Sequence, residues 1–354
     1  MLKAAFHYSY INAKVRALKS HLLRPADYES LARVSGCHGL AEYLKLTSYG
    51  KRWDSFPGSF DGFIHMYYGD LFHVYEKIIN LLSGGQKRLV QHLYQRYELE
   101  NLKHILRIVG RRKSAKDWKH LLLPTKGLAS FSVMDLLQAK DMDEILHHLR
   151  GTWYYDPLKN SLYRFEQEQE TFPLEMALDL SYYRHLWEYT SPLNRPDRKV
   201  ARHILGIQLD TLNILWIFRF KELYHFSPEE ILNYTLMDGT YLSSETRLRL
   251  AYSVDYKDMV ANLSGTPYQS LLDNVDDPEV ISAKLLSYGF CVAKKNWKRF
   301  PFQIGTVLDY LLFKEIEVKD LISLTEAKRL NLPQERIKDY LILTYLVNGS
   351  EANN

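Results

Sequence analysis

The sequence predicts an all-α protein, and three observations carry that prediction. Apolar residues recur at three- and four-residue spacing, as in "YELENLKHILRIVGRR" (97–112), where Leu99, Leu102, Ile105, Leu106 and Val109 share one stripe and Lys103, Arg107 and Arg111 line the other side. Helix starts are well marked: "FSPEEIL" offers Ser227 as cap, Pro228 in the first turn and Glu230 to complete a capping box, and "FSVMDLL" repeats the logic with Ser132 and Asp135. Strand signals are sparse. One short hairpin is expected, in "MDGTYLSS" (237–244).

Along the chain, the opening "MLKAAFHYSYINAKVRALK" lacks the apolar region and small-residue cleavage site of a signal peptide. "SGGQKRL" (83–89) reads as a turn between helices. It lacks the first glycine and the magnesium-binding hydroxyl of a phosphate loop. "GRRKSAKDWKH" (110–120) and "KELYHFSPEE" (221–230) interrupt the apolar pattern and read as junctions. "NVDDPEV" reads as a cap and turn before a helix, and the polar tail "NGSEANN" as frayed.

The run "QLDTLNILWIFRFKEL" (208–223) resembles a membrane span interrupted by Gln208, Asp210, Thr211 and Asn213. Counted from Ile204 to Phe220 it falls short of the roughly 20 apolar residues a span needs, and it carries a charge. Its polar residues belong to a repeat. An acid, two spacers, Asn or Asp, then an aliphatic pair occurs as Glu98-x-x-Asn101-Leu102-x-x-Ile105, Asp210-x-x-Asn213-Ile214-x-x-Ile217 and Glu317-x-x-Asp320-Leu321-x-x-Leu324. Arg107 and Arg219 follow six residues after the Asn in the first two copies. A second marker keeps the same beat: Leu44-x-x-Thr47-Ser-Tyr49, Leu149-x-x-Thr152-Trp-Tyr154 and Leu263-x-x-Thr266-Pro-Tyr268. Each Leu has an aliphatic partner one turn earlier, in Leu40, Ile145 and Met259. Two interleaved markers, three times each, indicate three related units of domain size, longer than solenoid repeats. The expected domains are 1–114, 115–224 and 225–354. Asp210 and Asn213, with their counterparts, are expected to form a polar lock between helices, since a functional polar site would not need three copies.

Charge and composition exclude several classes. The net charge of +4 over 354 residues is too mild for a nucleic-acid binder. Two cysteines, Cys37 and Cys291, support neither a disulfide framework nor a structural zinc site, which points to the cytoplasm. The 26 tyrosines suit cores and interfaces. No nucleotide-binding glycine motif, His-Glu-x-x-His or Cys-x-x-Cys occurs, and no His pair has the spacing of helical zinc ligands. The sequence therefore predicts no catalytic residue, no cofactor-binding residue and no metal ligand. Two basic clusters around a tryptophan are candidates for contact with anionic lipid or an acidic partner. One is Arg111, Arg112, Lys113, Lys116 and Lys119 about Trp118; the other is Lys294, Lys295, Lys298 and Arg299 about Trp297.

"YINAKVRALKSHLLRPADYESL" followed by "LAEYLKLTSYG" resembles the opening of the C subunit of the V/A-type rotary ATPases and ATP synthases, the counterpart of the eukaryotic d subunit. "QLDTLNILWIFRFKEL" and "VLDYLLFKEIEVKDLISLTEAKRLNLPQERI" resemble its later repeat signatures, so the likeness covers essentially the whole chain. Lys14 stands where an Arg is expected, and Asp320 replaces the Asn of the other copies. The resemblance implies three similar helical domains in a pseudo-threefold funnel around a central socket. It implies a peripheral, non-catalytic central-stalk subunit on the cytoplasmic face of the membrane, with no transmembrane segment of its own. Its partners would be the rotor ring of membrane c/K subunits and the D and F subunits of the stalk, and its task the coupling of ATP turnover to hydrogen ion or sodium transport. Two other classes remain open: a helical protein-binding scaffold unrelated to a rotary machine, and an enzyme whose site is scattered across domain interfaces.

Overall fold

A computed structural model describes residues 2–110, 122–125, 129–273, 275, 277–297 and 302–343. Among these residues helices are the only regular elements. In chain order they are α1 (Leu2–Lys19), α2 (Pro25–Arg33), α3 (Gly36–Lys45), α4 (Phe60–Leu81), α5 (Gly84–Gly110), α6 (Val133–Leu137), α7 (Met142–His148), α8 (Tyr155–Glu168) and α9 (Phe172–Glu188). They continue as α10 (Arg195–Glu222), α11 (Pro228–Asn233), α12 (Ser244–Tyr252), α13 (Tyr256–Ala261), α14 (Gln269–Leu272), α15 (Pro278–Asn296), α16 (Gly305–Arg329) and α17 (Gln334–Asp339). The chain divides into two compact units, one of residues 1–71 with 193–354 and one of residues 72–192, the division falling inside α4.

In the larger unit, α16 packs against α1, α10, α15 and α17. That environment explains why 19 of its residues are buried and why no polar face survives in its sequence. Helix α10 is likewise surrounded, by α11, α12, α15 and α16. In the smaller unit α5 packs on α6, α7 and α9, and α8 pairs with α9. The supposedly polar side of α5 turns out to face α9. Lys103 is buried against Asp179 at 3.1 Å, and the Arg107 guanidinium pairs with Glu175.

Local chemistry sets the ends of these helices. Ser132, Asp141, Ser227, Ser243 and Asp255 each accept the backbone N–H three residues on, and Ser227 with Glu230 forms the capping box read from the sequence. Asn194 caps α10 in the same way, ahead of Pro196. Between α4 and α5 the chain turns at Gly84, whose φ of +54° is costly for residues with a Cβ. Asp277 directly precedes α15, while Asp276 lies outside the described residues.

The expected hairpin at 237–244 is absent. Residues 237–243 form an irregular loop laid on α10, ending at the α12 cap. The Asp-Gly pair that suggests a hairpin turn serves close approach instead. A Cβ on Gly239 would collide with Asp210 Oδ1, and one on Gly206 of α10 with Thr240 Oγ1.

Candidate functional site

The repeated residues assemble into three buried polar clusters, each fastening loop backbone and a tyrosine to a long helix. On α5, Asn101 Oδ1 accepts the Leu123 N–H at 2.7 Å while its Nδ2 donates to the Leu123 carbonyl at 3.0 Å. On α10, Asn213 makes the same two-way contact with Leu236, at 2.8 and 3.0 Å. On α16, Asp320 accepts two successive N–H groups, Ile342 at 2.8 Å and Leu343 at 3.1 Å. The Asp therefore departs from the Asn pattern because its loop presents two donors, where the others present a donor and an acceptor. The expected helix-to-helix lock is in each case a helix-to-loop lock. A helix neighbour has no spare backbone N–H groups, whereas an irregular segment must place its own somewhere.

The acids one turn earlier collect further donors. Glu98 Oε2 accepts the Ser130 N–H and the Tyr154 hydroxyl, both at 3.1 Å. Asp210 accepts the N–H groups of Thr240, Tyr241 and Leu242 and the Tyr268 hydroxyl, at 2.7–3.2 Å. Glu317 accepts the Leu23 N–H at 2.6 Å and the Tyr49 hydroxyl at 2.9 Å. Burial pushes the carboxyls of Glu98 and Asp210 above their usual range and that of Asp320 to about 7. Burial likewise raises the hydroxyls of Tyr49, Tyr154 and Tyr268, which stay protonated as donors.

The threonine of the second marker orients that tyrosine. Thr47, Thr152 and Thr266 donate to the carbonyls of Leu44, Leu149 and Leu263 at 2.6–2.7 Å, satisfying a carbonyl at the helix end. Thr47 and Thr266 also accept the N–H of Tyr49 and Tyr268. The turn so fixed drives each ring into the core, where all three tyrosines are fully buried. Arg219, paired with Arg107 in the sequence pattern, is exposed and, among the described residues, forms no ion pair like that of Arg107 with Glu175.

The third cluster is the most heavily charged. Lys314 Nζ, buried on α16, lies 2.5 Å from Asp70 Oδ2, 2.5 Å from Glu317 Oε1 and 2.9 Å from the Tyr49 hydroxyl. Arg52 closes on the other side, 2.7 Å from Asp70 Oδ1 and stacked over the Tyr49 ring. Asp197, also missed by sequence reasoning, is a buried carboxylate joining three elements. It accepts the Tyr8 hydroxyl of α1 at 2.7 Å, the Ile304 N–H before α16 at 2.9 Å and the Asn194 amide at 2.6 Å. Its only sequence signal is its place in the first turn of α10, where a surface role is the default reading.

Of the basic candidates, Lys294 and Lys295 are exposed in the last turn of α15; Arg111, Arg112, Lys113, Lys116, Trp118, Lys119, Lys298 and Arg299 lie outside the described residues. A cleft in the smaller unit is lined by Arg88, Gln91, His92, Tyr94, Gln95 and Tyr189. Burial lowers the His92 pKa to about 4, but both ring nitrogens are engaged, with Gln95 Oε1 at 2.8 Å and the Tyr182 carbonyl at 2.9 Å. Neither is free for proton transfer. Cys37 and Cys291 are half-buried thiols with pKa values raised by burial, the opposite of an activated nucleophile. Among the described residues no group of three or more His, Cys, Asp or Glu is placed to hold a metal ion, and no helix is long and apolar enough to cross a membrane.

Fold and site together define a helical, internally repeated protein whose buried polar groups hold loops and tyrosines to long helices. Comparison with known proteins agrees with the motif order. The family described as ATP synthase (C/AC39) subunit matches residues 11–340, and the chain belongs to that family. The C subunit of the A-type ATP synthase of Methanosarcina mazei is 26% identical over 349 residues, covering 96% of this chain and 94% of its own. Those of Methanocaldococcus jannaschii and Archaeoglobus fulgidus are 24% and 26% identical over 348 and 344 residues. Each aligns with 95% of this chain, and with 86% and 96% of its own length respectively.

Proposed function

We propose that this chain is a non-catalytic central-stalk subunit of a V/A-type ATPase or ATP synthase. In this reading it joins the D and F subunits of the stalk to the rotor ring of membrane c/K subunits, at the cytoplasmic face, so that torque passes between ATP turnover and ion transport. The observation that carries the reading is the family match across residues 11–340. The use of the repeated polar residues supports it. Glu98, Asp210, Glu317 and their Asn or Asp partners are committed to backbone N–H groups and tyrosine hydroxyls, which suits a part that must resist deformation.

The proposed organisation is three repeat domains, 1–114, 115–224 and 225–354, arranged as a pseudo-threefold funnel with a central socket. The bonding pattern favours it: Glu98 of the first repeat holds Tyr154 of the second, Asp210 of the second holds Tyr268 of the third, and Glu317 of the third holds Tyr49 of the first. A cyclic succession of that kind is the pairing expected of threefold pseudosymmetry. The test is co-purification. A tagged chain recovered from membranes in mild detergent at low salt should bring catalytic, stalk and ring subunits with it. Recovery of the chain alone, or with unrelated proteins, overturns the proposal in favour of a free-standing scaffold.

A further inference from the structure

Two segments far apart in sequence are purely basic. Residues 2–26 and 280–308 carry ten of the 46 basic residues and none of the 42 acidic ones, which leaves the rest of the chain net negative. The larger unit brings their ends together. Lys19 Nζ, at the end of α1, sits 4.1 Å from the centroid of Trp297, just beyond α15, and Arg16 Cζ sits 5.3 Å from it. Trp297 is anchored on the apolar cluster of Phe313, Leu312 and Ala293, so this face is built on packed core. Arg16, Lys294 and Lys295 are exposed around it.

Among the described residues Arg16, Lys294 and Lys295 form no ion pair. Burial chiefly lowers the pKa of Lys19; the like charges of Arg16 and Lys294 act in the same direction and Asp309 against them. The carboxyl facing Lys19 is Asp309, and burial raises its pKa to about 8, so near neutral pH it keeps its proton. Offsetting helix C-terminal dipoles needs only a partial charge at each end, less than is gathered here.

We propose that the joined ends of α1 and α15 dock on an anionic lipid surface, with phosphate headgroups pairing with Arg16, Lys294 and Lys295 around Trp297. The proposal rests on the functional reading above, which sets a membrane beside the chain. A lipid surface fits better than an acidic protein because neither segment alternates charge. A protein contact uses both signs to fix its register, whereas a headgroup layer has no register to fix. The aromatic residue beside the cations, Trp297, suits the interfacial zone.

The test uses the full-length chain at pH near 7 with sedimented vesicles, of phosphatidylcholine alone or with about a third phosphatidylserine. Binding to the anionic vesicles only, weakening as salt rises, is expected. The variant K294Q/K295Q, checked for an unchanged circular dichroism melt, should bind about 25-fold more weakly, at about fivefold per charge removed. Equal binding to neutral vesicles, binding to neither, or an unaffected variant overturns the proposal. If the chain ignores vesicles while K294Q/K295Q loses its co-purifying subunits, the face belongs to an acidic protein; the lipid proposal fails and the functional reading stands. Vesicle binding without co-purification by the wild type has the opposite meaning: the lipid face stands and the functional reading fails.

Discussion

Exchanging Asn213 for Asp tests the lock on α10 without changing its shape. The native amide donates to the Leu236 carbonyl and accepts the Leu236 N–H, at 3.0 and 2.8 Å. Asn213→Asp keeps the acceptor and turns the donor into a second acceptor aimed at a carbonyl oxygen. At neutral pH the variant has two routes. Ionised, it leaves the carbonyl unpaired, at about 1–3 kcal/mol, with charge repulsion added. Protonated, it restores the bond, but holding that proton costs ~1.4 kcal/mol for each pH unit above the unfolded value near 3.9, or ~4 kcal/mol at pH 7. The cheaper route sets the loss, so roughly 2–4 kcal/mol is expected. The sign of the pH dependence follows. The folded variant binds its proton more tightly than the unfolded chain does, so its deficit against wild type grows as pH rises from about 4 toward 7 and shrinks on acidification. For a unit of this size the loss corresponds to about 2–4 °C in Tm per kcal/mol. Thermal melts of both proteins at about pH 4.5 and pH 7 measure it. An equal Tm gap at the two pH values, or no gap at pH 7, would refute the donor-acceptor account of the lock.

Lys314→Met strips two buried carboxylates, Asp70 and Glu317, of their shared cation, and should lower stability by about 3–5 kcal/mol in urea unfolding followed by circular dichroism. Asp309→Asn removes a carboxyl whose pKa burial raises to about 8. Wild-type stability should fall with rising pH between the unfolded value near 4 and about 8, by up to ~1.4 kcal/mol per unit from this group, and the variant's melts should lack that slope. Gly239→Ala drives a methyl into Asp210 Oδ1, so the loop over α10 must lift. The expected reading is faster amide hydrogen exchange at Thr240, Tyr241 and Leu242 than in wild type, and unchanged exchange there would contradict the close-approach role.

How much of this the sequence shows depends on whether a residue's job repeats. The three acids, their Asn or Asp partners and the three Thr-x-Tyr turns are legible because the same contact recurs three times at nearly constant spacing. What they touch is not legible: Leu123, Leu236, Ile342 and Leu343 contribute backbone, and backbone leaves no trace in side-chain identity. The Asp-Gly pair at 238–239 misleads for a related reason, since glycine permits a hairpin turn and a close approach alike. Lys103 and Arg107 look like a solvated stripe, because periodicity cannot reveal that α9 supplies Asp179 and Glu175 opposite them. Lys314, Asp70 and Arg52 occur once, so no repeat announces them.

That single occurrence has a physical reason in connectivity. Tyr154 and Tyr268 follow the acids they bind by 56 and 58 residues, whereas Tyr49 and Glu317 are 268 residues apart. Closing the longer loop costs about 1.4 kcal/mol more chain entropy, comparable to one charge-assisted hydrogen bond. The third cluster holds several such bonds beyond its tyrosine, through Lys314 and Arg52. A buried ion network adds little net stability when complete, but it is severe on incomplete pairings. The hydroxyls of Tyr154 and Tyr268 would satisfy Glu317 as well as that of Tyr49 does. Lys314 is paired with Glu317 on its own helix, and only the segment carrying Asp70 and Arg52 gives it a second carboxylate, itself held by Arg52, so the charges favour the N-terminal segment for the joint the chain does not tether closely.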